Sequence, residues 1–131
     1  MSLSMISNPR KILIVEDDPT IRSMMRQMLE RAGYKITEAE HGAVALQRIA
    51  QAQPDLVTTN IMMPVVDGPA LIRRLRSNPD TMSLPILVVS GLPEAAEYSR
   101  EANGFLVKPF VQDQLLTVVS SMIGSPDSDP R

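Results

Sequence analysis

The chain has 131 residues, 44% of them apolar, and a formal net charge of −2, which describes one ordinary domain with enough apolar side chain for a real core. It has no cysteine and a single histidine, His41, so a disulfide framework, a thiolate nucleophile and a zinc site of cysteines or clustered histidines are excluded. No apolar run approaches membrane-spanning length and the N-terminus lacks a signal-peptide core, so a cytoplasmic protein is expected.

Met1-Ser2-Leu3-Ser4 ahead of Met5 resembles an expression leader, and residues 1–10 are set aside as leader and disordered N-terminus. Residues 11–15 are a β-branched apolar run, the mark of a strand buried on both faces. Asp18 then caps a helix whose first position is Pro19, where a missing N–H costs nothing. Ile21, Met24, Met25, Met28 and Leu29 come next at helical spacing as a core stripe, and Gly33 ends the helix. Residues 34–39 give a second strand. Residues 43–50, with Leu46 and Ile49, give a second helix before Pro54.

Residues 56–60 read as a third strand and residues 68–76 as a third helix. Arg73, Arg74 and Arg76 lie on that helix and read as a solvated face rather than a nucleic-acid patch. Residues 85–90 form a fourth strand and residues 93–102 a short fourth helix with weak apolar phasing. Residues 105–107 form a fifth strand and residues 111–123 the last helix. The domain is thus expected over residues 11–124. Residues 125–131, polar and proline-punctuated, read as a linker or a disordered tail.

Five strands, each followed by a helix, imply a parallel sheet with right-handed crossovers and helices on both faces. In such sheets the site lies beyond the carboxyl ends of the strands. Glu16, Asp17 and Asp18 end the first strand, Asn60 the third, Ser90 the fourth and Lys108 the fifth. Each has a dull alternative: Asp18 serves a helix cap, Ser90 is a commonplace strand-end hydroxyl, and adjacent acids are often plain loop charges. Convergence on one patch argues for more. Acids held together repel, and a hard divalent cation with oxygen ligands relieves that repulsion; Mg²⁺ takes one or two carboxylates and keeps several waters. A backbone carbonyl in the loop at Met62 and Met63 could join such a shell. Lys108, at the end of a buried strand before Pro109, needs an anionic partner. Asn60 is the anomaly. A carboxylate oxygen there could attack phosphorus, whereas an amide oxygen is a far poorer nucleophile. Thr59, the nearest hydroxyl, should face away from Asn60 by strand alternation.

The set Val15-Glu16-Asp17-Asp18, Asn60-Ile61-Met62-Met63-Pro64-Val65-Val66-Asp67-Gly68, Val88-Val89-Ser90 and Val107-Lys108-Pro109-Phe110 resembles the CheY-like receiver domain of bacterial two-component response regulators. The resemblance spans nearly the whole chain and implies a flavodoxin-like (βα)5 fold, a doubly wound parallel sheet of strand order 2-1-3-4-5. It implies Asp17 as a direct Mg²⁺ ligand, Glu16 acting through water, Met62 as the metal-binding carbonyl and Asn60 at the phospho-acceptor position. It also implies Ser90 and Lys108 as phosphate-sensing groups, a cis bond at Pro109 and Phe105 as the switch aromatic. The partners it implies are a sensor histidine kinase or histidine phosphotransfer protein, and a C-terminal output domain or separate protein. Homodimerisation through the fourth helix, fifth strand and last helix is a further implication; direct nucleic-acid or membrane contact is not expected.

Two departures stand out: Asn60 itself, and the short span from Ser90 to Lys108, which shortens the fourth helix. Two readings stay open. One is a phosphorylation-independent protein-interaction module, not an enzyme, with Mg²⁺ weakly bound or absent. The other is a conventional Mg²⁺-dependent phospho-acceptor carrying an Asp→Asn change at residue 60. In either case, without an acceptor carboxylate Lys108 should lean on Asp17 or Glu16.

Overall fold

The computed structural model describes residues 9–127 apart from Pro93 and Ser99; the expected leader lies almost wholly outside the described residues. Five parallel strands form one sheet in the order β2-β1-β3-β4-β5. The strands are β1 (Lys11–Val15), β2 (Lys35–Ala39), β3 (Leu56–Thr59), β4 (Ile86–Ser90) and β5 (Gly104–Val107). The helices are α1 (Pro19–Ala32), α2 (Gly42–Ala52), α3 (Gly68–Ser77), the single turn α4 (Ala95–Tyr98) and α5 (Gln112–Ile123). This is the flavodoxin-like order expected.

Strand alternation divides the core. Ile12, Ile14, Leu56 and Leu87 point to one side and pack with Met25 and Leu29 of α1 and Leu115 and Val119 of α5. Leu13, Val15, Val57 and Val88 point to the other, against Ala45 and Ile49 of α2 and Leu71 and Leu75 of α3. A central strand covered on both faces favours apolar side chains, which is why β1 reads as a nearly unbroken apolar run. Register carries the strand ends level: Val15 lies opposite Thr59 and Ser90 opposite Val107.

Local chemistry sets the helix ends. Asp18 accepts from the N–H groups of Thr20 and Ile21 at 2.8 and 3.2 Å, and Gly33 ends α1 with φ 109°, a conformation glycine takes without steric cost. Helix α2 begins one residue earlier than expected because His41 caps it, Nδ1 accepting from Ala43 N–H at 3.2 Å. Gly42 is required there: a Cβ would lie 2.6 Å from the Val66 carbonyl oxygen. Asp67 caps α3 by accepting from Ala70 N–H at 2.9 Å.

Four expectations need correction. Helix α4 is one turn, Ala95–Tyr98, and residues 100–102 are not helical, so the helix expected over residues 93–102, of which Pro93 and Ser99 lie outside the described residues, is shortened. A single turn is too short to be stable by itself, and Ala95 is buried in the core. Met24 is 37% exposed while Met25 is buried, so the methionine stripe is only partly core. Arg76 is not a solvated side chain: it donates to the carbonyls of Glu101, Met82 and Leu84 at 2.9, 3.0 and 2.9 Å and to Asn103 Oδ1 at 2.9 Å. Burial pushes its guanidinium pKa down, whereas Arg73 and Arg74 are exposed as expected. Finally, the start of the expected tail is tied down, since Arg10 N–H donates to the Pro126 carbonyl at 2.8 Å. Tyr34 Oη adds a bond to the Gly124 carbonyl at 2.8 Å; residues 128–131 lie outside the described residues.

Candidate functional site

The centre of the site is Glu16, 2% exposed, just past the end of β1. Its N–H continues the sheet, donating to the Ala39 carbonyl at 3.0 Å. Its carbonyl accepts from Arg22 Nη1 of α1 at 2.7 Å. Carboxylate Oε1 accepts from Lys108 Nζ at 2.7 Å. Oε2 accepts from Asp18 N–H at 3.1 Å and from Asn60 Nδ2 at 3.3 Å. A buried carboxylate survives only when its lone pairs are met by donors and its charge by a cation, and both conditions hold here.

Asn60 is oriented by two neighbours. Ile61 N–H donates to Oδ1 at 2.8 Å, which turns the amide nitrogen toward Glu16. The backbone behind it is crowded: a Cβ on Gly68 would lie 2.2 Å from the Asn60 carbonyl oxygen, so glycine lets the β3–α3 loop fold back, closed by Gly68 N–H to the Ile61 carbonyl at 2.9 Å. The hydroxyl of Thr59 donates to the Asn60 carbonyl at 2.9 Å and Thr59 sits buried beneath the site. Thr58 Oγ1 is a buried hydroxyl with no partner among the described residues.

Ser90 is buried and its Oγ accepts from Leu92 N–H at 3.1 Å, while its carbonyl accepts from Lys108 N–H at 2.9 Å. The Lys108–Pro109 bond is cis, as expected. Phe105 points away from the core at 44% exposure. Lys108 pairs with Glu16; of the two acids expected as its partner, Asp17 instead lies exposed, on the wall of a cavity of ≈ 600 Å³ shared with Met62 and Asp67.

The residues named from sequence for Mg²⁺ were Glu16, Asp17, Asn60 and Met62. As arranged they do not form an oxygen shell. Both Glu16 oxygens have donors, Asn60 presents N–H toward Glu16 with its oxygen turned to Ile61, and Asp17 and Met62 remain. Among the described residues no group of three His, Cys, Asp or Glu side chains is placed to hold a metal ion. The Glu16 carboxylate is met by the Lys108 ammonium and the Asn60 amide N–H₂.

The sequence did not single out Arg22. Besides the Glu16 carbonyl, its Nε donates to Glu38 Oε1 of β2 at 3.0 Å, and Glu38 also pairs with Arg26, whose pKa it raises through that hydrogen bond. Its position one turn after the Asp18 cap was the available signal, and an arginine there is easily read as surface charge.

Residues 12–120 match the response regulator receiver domain family, and the chain belongs to that family. It is 37% identical over 128 residues to the response regulator MprA of Mycobacterium sp. (strain KMS), covering 93% of this chain and 55% of that protein. Identity is 32% over 125 residues to the DNA-binding dual master transcriptional regulator RpaA of Synechocystis sp., covering 92% and 52%. The chain thus spans about half the length of these curated relatives. A solved putative response regulator from Chloroflexus aurantiacus superposes with TM-score 0.84 at 36% identity, over 88% of this chain and 98% of that one. The receiver domain of the sensor histidine kinase PA1611 from Pseudomonas aeruginosa, solved with magnesium coordinated in its active-site cleft, gives 0.82 at 26% identity over 89% and 99%. In fold and family this is a two-component receiver domain.

Proposed function

We propose that this receiver works as a phosphorylation-independent protein-interaction module, with Asn60 at the acceptor position and no enzymatic activity of its own. The observation that carries the reading is the Lys108–Glu16–Asn60 chain. It ties β5 to the end of β1 through a 2.7 Å ion pair and an amide contact, holding without metal or phosphate the strand ends that phosphate chemistry would otherwise couple. Mg²⁺ binds weakly or not at all, because Asn60 offers a neutral amide and Lys108 has taken the Glu16 carboxylate, leaving Asp17 as the one charged ligand of the expected set. The partners are a sensor histidine kinase or phosphotransfer protein, and an output domain or separate protein reading a preset surface. The exposed side chains of Phe105 and Val107 beside the abbreviated α4 suit a homodimer face formed with α5. The proposed location is the cytoplasm, alongside those partners; no helix among the described residues is long and apolar enough to cross a membrane.

The second reading, a Mg²⁺-dependent phospho-acceptor carrying Asp→Asn at residue 60, draws support from the placement of Ser90 and Lys108 at neighbouring strand ends. Intact mass after incubation with acetyl phosphate and Mg²⁺ separates the two. The parent chain is expected to gain no phosphoryl group, since a neutral amide oxygen is too poor a nucleophile to attack phosphorus and displace acetate, and the Thr59 hydroxyl is buried. A gain at residue 60 in the parent overturns the proposal. A gain in Asn60→Asp alone shows that the surrounding residues still serve the chemistry.

A further inference from the structure

Beside the Glu16 centre, the loop between β3 and α3 offers an apolar surface with acidic edges. The ≈ 600 Å³ cavity there has Ile61, Met63 and Leu92 among its apolar lining and Asp17, Asp67 and Glu94 as its acids, and among the described residues no Lys or Arg lines it. The nearby cation, Lys108, is already neutralised by Glu16. Met62 at 66% and Val65 at 78% exposure extend the apolar surface into solvent. Val65 is also a β-branched residue at φ 70°, a left-handed conformation such residues rarely adopt. The loop is pinned on either side of it, by Gly42 N–H to the Val66 carbonyl at 3.0 Å and Gly68 N–H to the Ile61 carbonyl at 2.9 Å. Its shape is therefore set before any partner arrives, which lowers the ordering cost of association.

We infer that this surface docks a cationic amphipathic segment of a partner protein, an apolar side chain seating against Met62 and Val65 and a Lys or Arg entering among Asp17, Asp67 and Glu94. Charge decides the occupant: three carboxylates with no lining cation disfavour an acidic peptide or a nucleic acid and favour a basic one. Methionine side chains are flexible and polarisable, and so accept apolar groups of differing shape. The inference rests on the proposed phosphorylation-independent reading and gives that module its partner chemistry.

The test is a metal-free NMR titration of the ¹⁵N-labelled chain with a synthetic helical Leu/Lys peptide and with its Leu/Glu counterpart. The Lys peptide is expected to shift amides of Asp17, the 61–68 loop and Glu94, and the Glu peptide to leave them unmoved. Met62→Ser should weaken binding by roughly fivefold, as loss of a central apolar anchor does. Asp17→Asn with Glu94→Gln should weaken it about tenfold at low salt and less at high salt. All three positions are exposed, so the variants should melt with the parent and report binding alone. Equal binding of the two peptides, shifts confined to another face, or indifference to these variants overturns the inference. So does reproduction of the same shifts by concentrating the chain alone, which assigns the surface to a second copy, or by submillimolar Mg²⁺, which assigns it to metal. Acetyl phosphate with intact mass on the same sample keeps the failures apart. A phosphoryl gain sinks the underlying reading; no gain and no peptide shift sinks only this one.

Discussion

At the carboxyl end of the sheet Glu16 is in direct contact with a full positive charge, whereas on the flank of the sheet the hydrogen bonds of Arg76 among the described residues go to neutral oxygens, with the Glu101 carboxylate acting on it through space. Glu16 draws β1, β5 and the residue after β3 together through Lys108 and Asn60. Arg76 draws the end of α3, the α3–β4 loop and the α4–β5 loop together through the carbonyls of Met82, Leu84 and Glu101. The two teach different things about buried charge. A carboxylate deep in the fold demands a cation, so removing the partner strands a charge. A guanidinium spread over five donors can be held largely by carbonyl dipoles, here with the Glu101 charge nearby, and fastens loops where α4 is too short to do it. The first hub holds the chemistry of the site and the second holds its flank.

Breaking the first hub should have the larger effect. Lys108→Ala leaves Glu16 at 2% exposure without a cation, and the variant should lose about 2–4 kcal/mol of stability by urea unfolding. Added Mg²⁺ should restore part of that loss in the variant, because a cation then relieves the stranded charge. A variant that unfolds with the parent would show that the ion pair is not needed. Breaking the second hub should cost less. Arg76→Met unpairs carbonyls that water can partly reach, for about 2 kcal/mol. Hydrogen exchange should rise in residues 78–84 and 101–106 while α1 and α5 stay protected; uniform loosening would contradict the assignment of Arg76 to the flank.

Much of this was legible in the chain. The β1 run, the Asp18-Pro19 start and the Gly33 stop obey local rules that tertiary contacts did not override, and the order of alternating elements dictated the parallel sheet. The convergence of Glu16, Asn60, Ser90 and Lys108 came from topology, since each ends a strand. What stayed hidden was pairing at the level of single atoms. Sequence left Glu16 and Asp17 equivalent as partners of Lys108, and only burial distinguishes them. Arg76 looked like its neighbours Arg73 and Arg74 because one residue's step around a helix is not visible as a change of side-chain type. Helix α4 was overextended because Pro93 offers a start signal while the next residues have little apolar phasing to sustain a helix.

The smallest expected effect sharpens the comparison from the apolar side. Thr58 Oγ1 is buried without a partner among the described residues, between Ile14 of β1 and Leu87 of β4. Unlike the two hubs it has no hydrogen-bond partner among the described residues to offset its desolvation. Thr58→Val should therefore stabilise the domain by about 1 kcal/mol, read as a rise in melting temperature. A loss of stability would mean that the hydroxyl has an unseen water partner.

Lys108 and Asn60 both donate to Glu16, and isothermal titration of the parent chain with Mg²⁺ tests the proposal that these contacts stand in for a metal ion. The expected dissociation constant is weaker than about 1 mM, corresponding to less than about 4 kcal/mol of binding free energy. Asn60→Asp should bind at least tenfold more tightly, because the introduced carboxylate adds a unit negative charge to the site and competes with Glu16 for Lys108. Micromolar binding to the parent, or equal affinity in the two proteins, would show that Lys108 and Asn60 do not stand in for the metal.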